Sequence, residues 1–255
     1  MDLQSNDKLK KALFGIPPGI PLTARFLADA GISRQLVHAY IKGGWLEKLS
    51  SGYYKRHNDM ITSAGAVLSM EMQGLDVHIG GKSALSHHGF VHYLSSEKPV
   101  VYLYGRISKL PKWVDAEFFC EVRKERLFGE PETLSERLYV KRMETGTELS
   151  PYVSEPERAL LEMLEDVPLR QSLDESRKLM ETMFGLRSEI MQDLLIRCCR
   201  IKVKRLFVLE AQRLNLPVLK ELNLNDIDFG SRSLYIISKK GDSLILKNPL
   251  EGIHG

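Results

Sequence analysis

The sequence is poor in the features that assign a chain quickly. It has three cysteines in 255 residues, Cys120, Cys198 and Cys199. An odd number with two adjacent argues against a disulfide framework and fits a reducing compartment. No run of about 18 apolar residues occurs, so a transmembrane helix is not expected. The start, MDLQSNDKLKKALFG, is polar and lacks the apolar stretch of a signal peptide. The expected location is therefore cytoplasmic, with no membrane partner. Internal repeats and low-complexity segments are absent. The net charge of +3 is too small to name a partner by itself.

Motifs that carry chemistry are equally scarce. In HIGGKSALSHHG, the string GGKS resembles the end of a phosphate loop, G-x-x-x-x-G-K-[ST]. Five residues before Gly81 stands Asp76, not glycine, so that motif fails. His88 and His92 are four apart, with His78 and His87 near, but Gly89 interrupts the helix that a shared zinc needs. Asp226/Asp228 and Asp115/Glu117 have no lysine at a catalytic spacing, and no serine or cysteine sits in a nucleophile motif. The expectation is a protein with no catalytic residue, no metal and no cofactor, hence not an enzyme. Cys198-Cys199 reads as a buried pair within a helix. RCCRIKVKR, from Arg197 to Arg205, reads as a solvated, locally paired helix face.

What is present is a basic head. Residues 1–57 hold nine lysines and arginines against four acids, which points to a localised polyanion contact. The same stretch has a specific order of patterns. Residues 6–14 predict a helix capped by Asn6. GIPPGIP breaks it, because proline cannot continue the hydrogen-bond ladder. A second helix is capped by Thr23 and ends at Gly31. A third spans 33–43 with Ser33 as its cap and Gly43-Gly44 as its stop. Its apolar stripe is Leu36, Val37, Tyr40 and Ile41, which leaves Arg34, Gln35, His38 and Lys42 on the other side. WLEKL and GYYKR around Ser50-Ser51-Gly52 read as a hairpin. Tyr40 and Trp45 are expected in the core.

Helix, helix, turn, helix, hairpin is the order of a winged helix-turn-helix. Its third helix fits a major groove, and the N-terminal half of that helix faces base edges. Arginine suits guanine and glutamine suits adenine. The candidate DNA-binding residues are accordingly Thr23, Ser33, Arg34, Gln35, His38 and Lys42, with Ser51, Tyr53, Lys55 and Arg56 on the wing. Thr23 and Ser33 would meet phosphates at helix N-termini.

Beyond residue 57 the texture changes. Residues 59–73 predict a helix. LDVHIGG, KPVVYLYG, AEFFCEV and ERLYVKRM predict short strands, with a helix over KSALSHHG between the first two. Ser154-Glu155-Pro156-Glu157 has capping-box spacing, and helices are expected at 156–166, 173–184, 187–200 and 202–215. SLYIISKKGDSLILKN predicts a closing hairpin. The expected fold class is α+β: a winged module at 1–57, a mixed region at 58–150, and a mainly helical region at 151–255. The last two are also readable as one domain.

A basic N-terminal module, Gly-Gly/Ser-Ala-Leu-x-x-x-Gly at 80–89 and Ser-x-Pro-Glu-Arg-Ala at 154–159 together resemble the AbiEi antitoxins of type IV toxin–antitoxin systems. That resemblance implies an antitoxin that binds inverted repeats in double-stranded promoter DNA and represses its own operon. It also implies a C-terminal region that neutralises a nucleotidyltransferase toxin, often without a stable complex. The residue reading alone leaves three alternatives: a nucleic-acid-processing enzyme positioned by its winged domain, a solitary regulator, or a protein-interaction module that never touches nucleic acid.

Overall fold

The computed structural model describes residues 3–90, 100–107, 109–123, 127–129, 134–144, 149–231, 233–239 and 242–251. The chain is α+β. It divides into two compact units that share the sequence in alternation. The first comprises residues 1–79, 97–124 and 142–152. The second comprises 80–96, 125–141 and 153–255.

The first unit opens with α1 (Leu3–Leu13), β1 (Leu22–Thr23), α2 (Ala24–Asp29) and α3 (Arg34–Lys42), then β2 (Leu46–Ser50) and β3 (Tyr53–Arg56). Asn6 lies inside α1 rather than capping it. The caps of the next two helices are as the sequence predicts. Thr23 accepts from the Phe26 N–H at 3.0 Å and Ser33 from the Leu36 N–H at 3.3 Å. These bonds satisfy amides that have no partner within the helix. Leu9, Ile20, Leu22, Leu27, Val37, Tyr40 and Leu46 bury together into one core. β1 was not expected from the sequence. It adds a third strand beside the hairpin, in the order β1-β3-β2.

Helix α4 (Ser63–Met72), capped by Thr62, contributes Leu68 to the same core. Then come β4 (Val77–Ile79), β5 (Val100–Gly105), α6 (Lys112–Glu117) and β6 (Phe119–Arg123), with the strands in the order β6-β5-β4. β4 and β5 are antiparallel, whereas β5 and β6 are parallel. Parallel neighbours need a crossover connection, and α6 supplies it. The chain passes between the units within β7 (Val140–Arg142) and β8 (Tyr152–Ser154).

In the second unit, α5 (Gly81–His87) and α7 (Pro156–Glu165) pack together, and α8 (Leu173–Met180), α9 (Ser188–Arg197) and α10 (Ile201–Arg213) also pack on α7. Three expectations are corrected here. Ser154 is no helix cap: it ends β8, and Glu155 occupies the cap position without a side-chain cap bond. The Ser154 hydroxyl instead donates to the buried Glu162 carboxylate at 2.9 Å. Cys198 is buried where α9 ends, while Cys199 is exposed. RCCRIKVKR is a solvated, locally paired face only at its start: Arg197 and Arg200 are exposed and pair with Asp193 and Glu165, whereas Lys204 and Arg205 are 3% and 1% exposed. Arg205 donates to the carbonyls of Phe229, Gly230, Ser233 and Leu246 at 2.8–3.4 Å. It thereby fastens the closing hairpin, β9 (Leu234–Lys239) and β10 (Asp242–Lys247), to α10.

The two motifs that carried the resemblance meet inside this unit. The Gly81 N–H at the start of α5 donates to Glu162 at 2.9 Å. Arg158 Nε donates to the same carboxylate at 2.8 Å, and Arg158 also holds the Leu138 carbonyl at 2.7 Å. Its guanidinium lies 4.9 Å from the Phe128 ring centroid. GGKS is therefore a turn into a helix whose first amide already holds an internal carboxylate. No helix among the described residues is long and apolar enough to cross a membrane.

Candidate nucleic-acid interface

Helix α3 is held by one side. Val37 and Tyr40 are buried, and Leu36 and Ile41 are half-buried against the core. Ser33, Arg34, Gln35, His38, Ala39 and Lys42 are exposed. Arg34, His38 and Lys42 follow at intervals of four and so line one face. Gln35 and Ala39, also four apart, flank that row. Among the described residues, Arg25, Arg34, Lys42 and Lys48 make no ion pair.

The hairpin stands beside α3. Its strands pair Leu46 with Arg56 and Lys48 with Tyr54, with an irregularity before Ser50. Ser51 and Gly52 form the tip, and Gly52 takes φ +81°, where a side chain is strained. The Gly52 carbonyl accepts from the Ala24 N–H at 2.8 Å, which ties the tip to the start of α2.

The ten predicted contact residues divide by environment. Ser33, Arg34, Gln35, His38, Lys42 and Ser51 are exposed. Thr23 is fully buried and its hydroxyl is engaged in capping α2. Tyr53 is 6% exposed, with its ring 5.5 Å from that of Trp113. Burial raises the Tyr53 pKa, so its phenol stays neutral. Lys55 pairs with Glu47 at 3.2 Å and donates to the Asp59 carbonyl at 3.2 Å. Arg56 pairs with Asp59 at 3.3 Å and donates to the carbonyls of Pro17 and Ile16 at 3.0 and 2.5 Å.

Glu47 is the acid of the hairpin. It accepts from the Asn58 N–H at 3.0 Å and pairs with Lys55 and with His57, the latter at 2.8 Å. The Asn58 amide and then Lys55 hold its carboxyl below the ordinary range. Its charge is thus locally compensated, which leaves the exposed surface of the module basic.

Trp45 departs from its expected place in the core: it is 43% exposed, between α3 and β2. Arg25 and Lys48 are exposed cations that pattern reading did not single out. Their signal was available only as charge opposite an apolar stripe, and short elements show that stripe poorly. Among the described residues no group of histidines, cysteines and acids is placed to hold a metal ion. His78 is buried near Tyr104, His88 lies 2.9 Å from the Ser154 carbonyl, and His92 falls outside the described residues.

Two family models match the sequence. One, described as the N-terminal domain of the AbiEi antitoxin transcriptional regulators, covers residues 5–96. The other, described as the AbiEi antitoxin transcriptional regulator of type IV toxin–antitoxin systems, covers residues 98–246. No curated protein matches the sequence. Among solved structures, the chain is similar to the Rv2827c protein of Mycobacterium tuberculosis, with a TM-score of 0.50 and 13% identity. That match covers 94% of this chain and 90% of the other, and at such identity it speaks to fold alone.

Proposed function

This chain belongs to the AbiEi antitoxin family of type IV toxin–antitoxin transcriptional regulators, and from that membership we propose that its first unit reads double-stranded DNA with the outer face of α3. The observation that carries the reading is the division of α3 itself. One stripe is buried, and the opposite face offers Arg34, Gln35, His38 and Lys42 beside a basic hairpin. This supports a winged helix-turn-helix in which α3 enters the major groove. Arg34 and Gln35 would face base edges, because they lie in the first turn. Lys42 and Ser33 would meet phosphates, and Ser51 would carry the wing tip to the backbone. Thr23, Tyr53, Lys55 and Arg56 would hold the module together from beneath.

The finer reading is autoregulation. The protein would bind inverted repeats upstream of its own operon and repress it. The second unit would serve neutralisation of a nucleotidyltransferase toxin, with or without direct contact. The test has two arms. A reporter fused to the upstream region should be repressed by the chain and released by Arg34→Ala/Gln35→Ala. A nucleotidyltransferase encoded beside the gene should arrest growth, and co-expression of the chain should relieve the arrest. Repression without a neighbouring toxin would leave a solitary regulator in place of the antitoxin.

A further inference from the structure

Arg56 invites assignment as a phosphate contact, since it ends the wing and is basic. Its geometry gives it another task. The guanidinium donates to three acceptors: the Ile16 carbonyl at 2.5 Å, the Pro17 carbonyl at 3.0 Å and the Asp59 carboxylate at 3.3 Å. Asp59 in turn accepts from the Gly19 N–H, 3.0 Å from each of its oxygens. The Gly19 carbonyl accepts from the N–H of Thr62, the cap of α4, at 3.1 Å. The Arg56 and Asp59 side chains are only 20% and 10% exposed.

We infer that Arg56 and Asp59 form a latch that sets the direction of the wing, so that both are positioning residues for DNA binding and neither touches DNA. The inference rests on the DNA reading above. The latch joins the end of β3 to the loop between α1 and β1, a loop stiffened by Pro17, Pro18 and Pro21. At the other end, the tip is tied by the bond between the Ala24 N–H and the Gly52 carbonyl. A hairpin fixed at both ends reaches its binding geometry before DNA arrives, which removes the ordering cost that a loose wing carries. The fork matters more than the charge. Arginine presents several donors in a rigid plane, whereas lysine is a single point charge that still suits a phosphate.

The sign of the Asp59 effect separates this account from simple electrostatics. Removing an acid near DNA ordinarily strengthens binding, whereas the latch requires that removing Asp59 weaken it. The test measures binding of the full chain to a labelled duplex from the region upstream of its own reading frame, over a range of salt. The variants are Arg56→Lys, Arg56→Ala and Asp59→Asn, with thermal melts to confirm folding and hydroxyl-radical footprints to locate the wing. The latch predicts that Arg56→Lys and Asp59→Asn each lose roughly tenfold in affinity, an effect of about 1.4 kcal/mol. The slope against log salt stays unchanged, and protection is lost under the wing but kept under α3. Arg56→Lys is the safeguard should Arg56→Ala fail to fold. Wild-type binding by Arg56→Lys, tighter binding by Asp59→Asn, or a slope reduced by about 1 in Arg56→Ala overturns the latch in favour of a phosphate contact. Failure of the wild-type chain to bind at low salt overturns the DNA reading itself, and the latch with it.

Discussion

At the scale of the residue, the buried charges of the second unit carry the sharpest energetic consequences. Glu162 is 1% exposed and accepts from Ser154, Arg158 and the Gly81 amide. Replacing it by alanine removes the carboxylate that Arg158, itself 3% exposed, holds at 2.8 Å. Breaking such a pair from one side costs about 3–5 kcal/mol. Glu162→Ala should therefore shift the urea midpoint well below that of wild type, and an unchanged midpoint would contradict the network. Glu157 gives a pH dependence. Burial works to raise its pKa, but hydrogen bonds from the Arg187 side chain and amide outweigh this and hold the carboxyl below its ordinary value. A carboxyl depressed in the folded state stabilises above the ordinary carboxylate range, and that stabilisation is lost as pH falls through the folded value. Denaturant midpoints should fall between pH 5 and pH 3, and should fall less steeply in Arg187→Ala.

At the scale of the element, close approach of backbone segments decides what a substitution does. A Cβ on Gly65 in α4 would sit 2.1 Å from the Gly19 carbonyl oxygen, whereas one on Gly15 would meet nothing within 4 Å. Gly65→Ala should destabilise by roughly 1–3 kcal/mol, as overpacking does, and Gly15→Ala should leave the melting temperature near wild type. The elements also differ in how far they could be read in advance. α2 and α3 were legible because Thr23 and Ser33 cap them locally and an apolar stripe repeats over the turns of α3. The hairpin was legible from Ser51-Gly52 between apolar runs. β1, α6 and β8 were not: at two to six residues they are too short to show a period, and no side-chain cap or tight turn marks them as Thr23 marks α2 and Ser51-Gly52 marks the hairpin. Ser154 misled because the capping box is a local pattern, whereas its hydroxyl found a partner eight residues on, across a strand–helix junction. Arg205 misled for the same reason in larger form. Its acceptors lie 24 to 41 residues away, in the segment before the closing hairpin and in β10, which composition cannot place beside α10.

At the scale of the whole molecule, the sequence pattern separated the two faces of α3. It did not separate exposed cations from engaged ones. Lys55 and Arg56 look like Arg34 and Lys42 in a one-letter string, and only the distances to Glu47 and Asp59 tell them apart. The interleaving of the two units was likewise hidden, since each takes up three stretches of chain. The central claim is that the exposed face of α3 reads duplex DNA. The most direct test is a titration of the full chain, by fluorescence anisotropy, against its own upstream duplex and an unrelated duplex over a range of salt. The account predicts a linear fall of log affinity with log salt. Lys42→Ala should lower that slope by about 1 for both duplexes, whereas Arg34→Ala/Gln35→Ala should erase the preference for the upstream duplex. No binding at low salt, or an undiminished preference in the double variant, would contradict it.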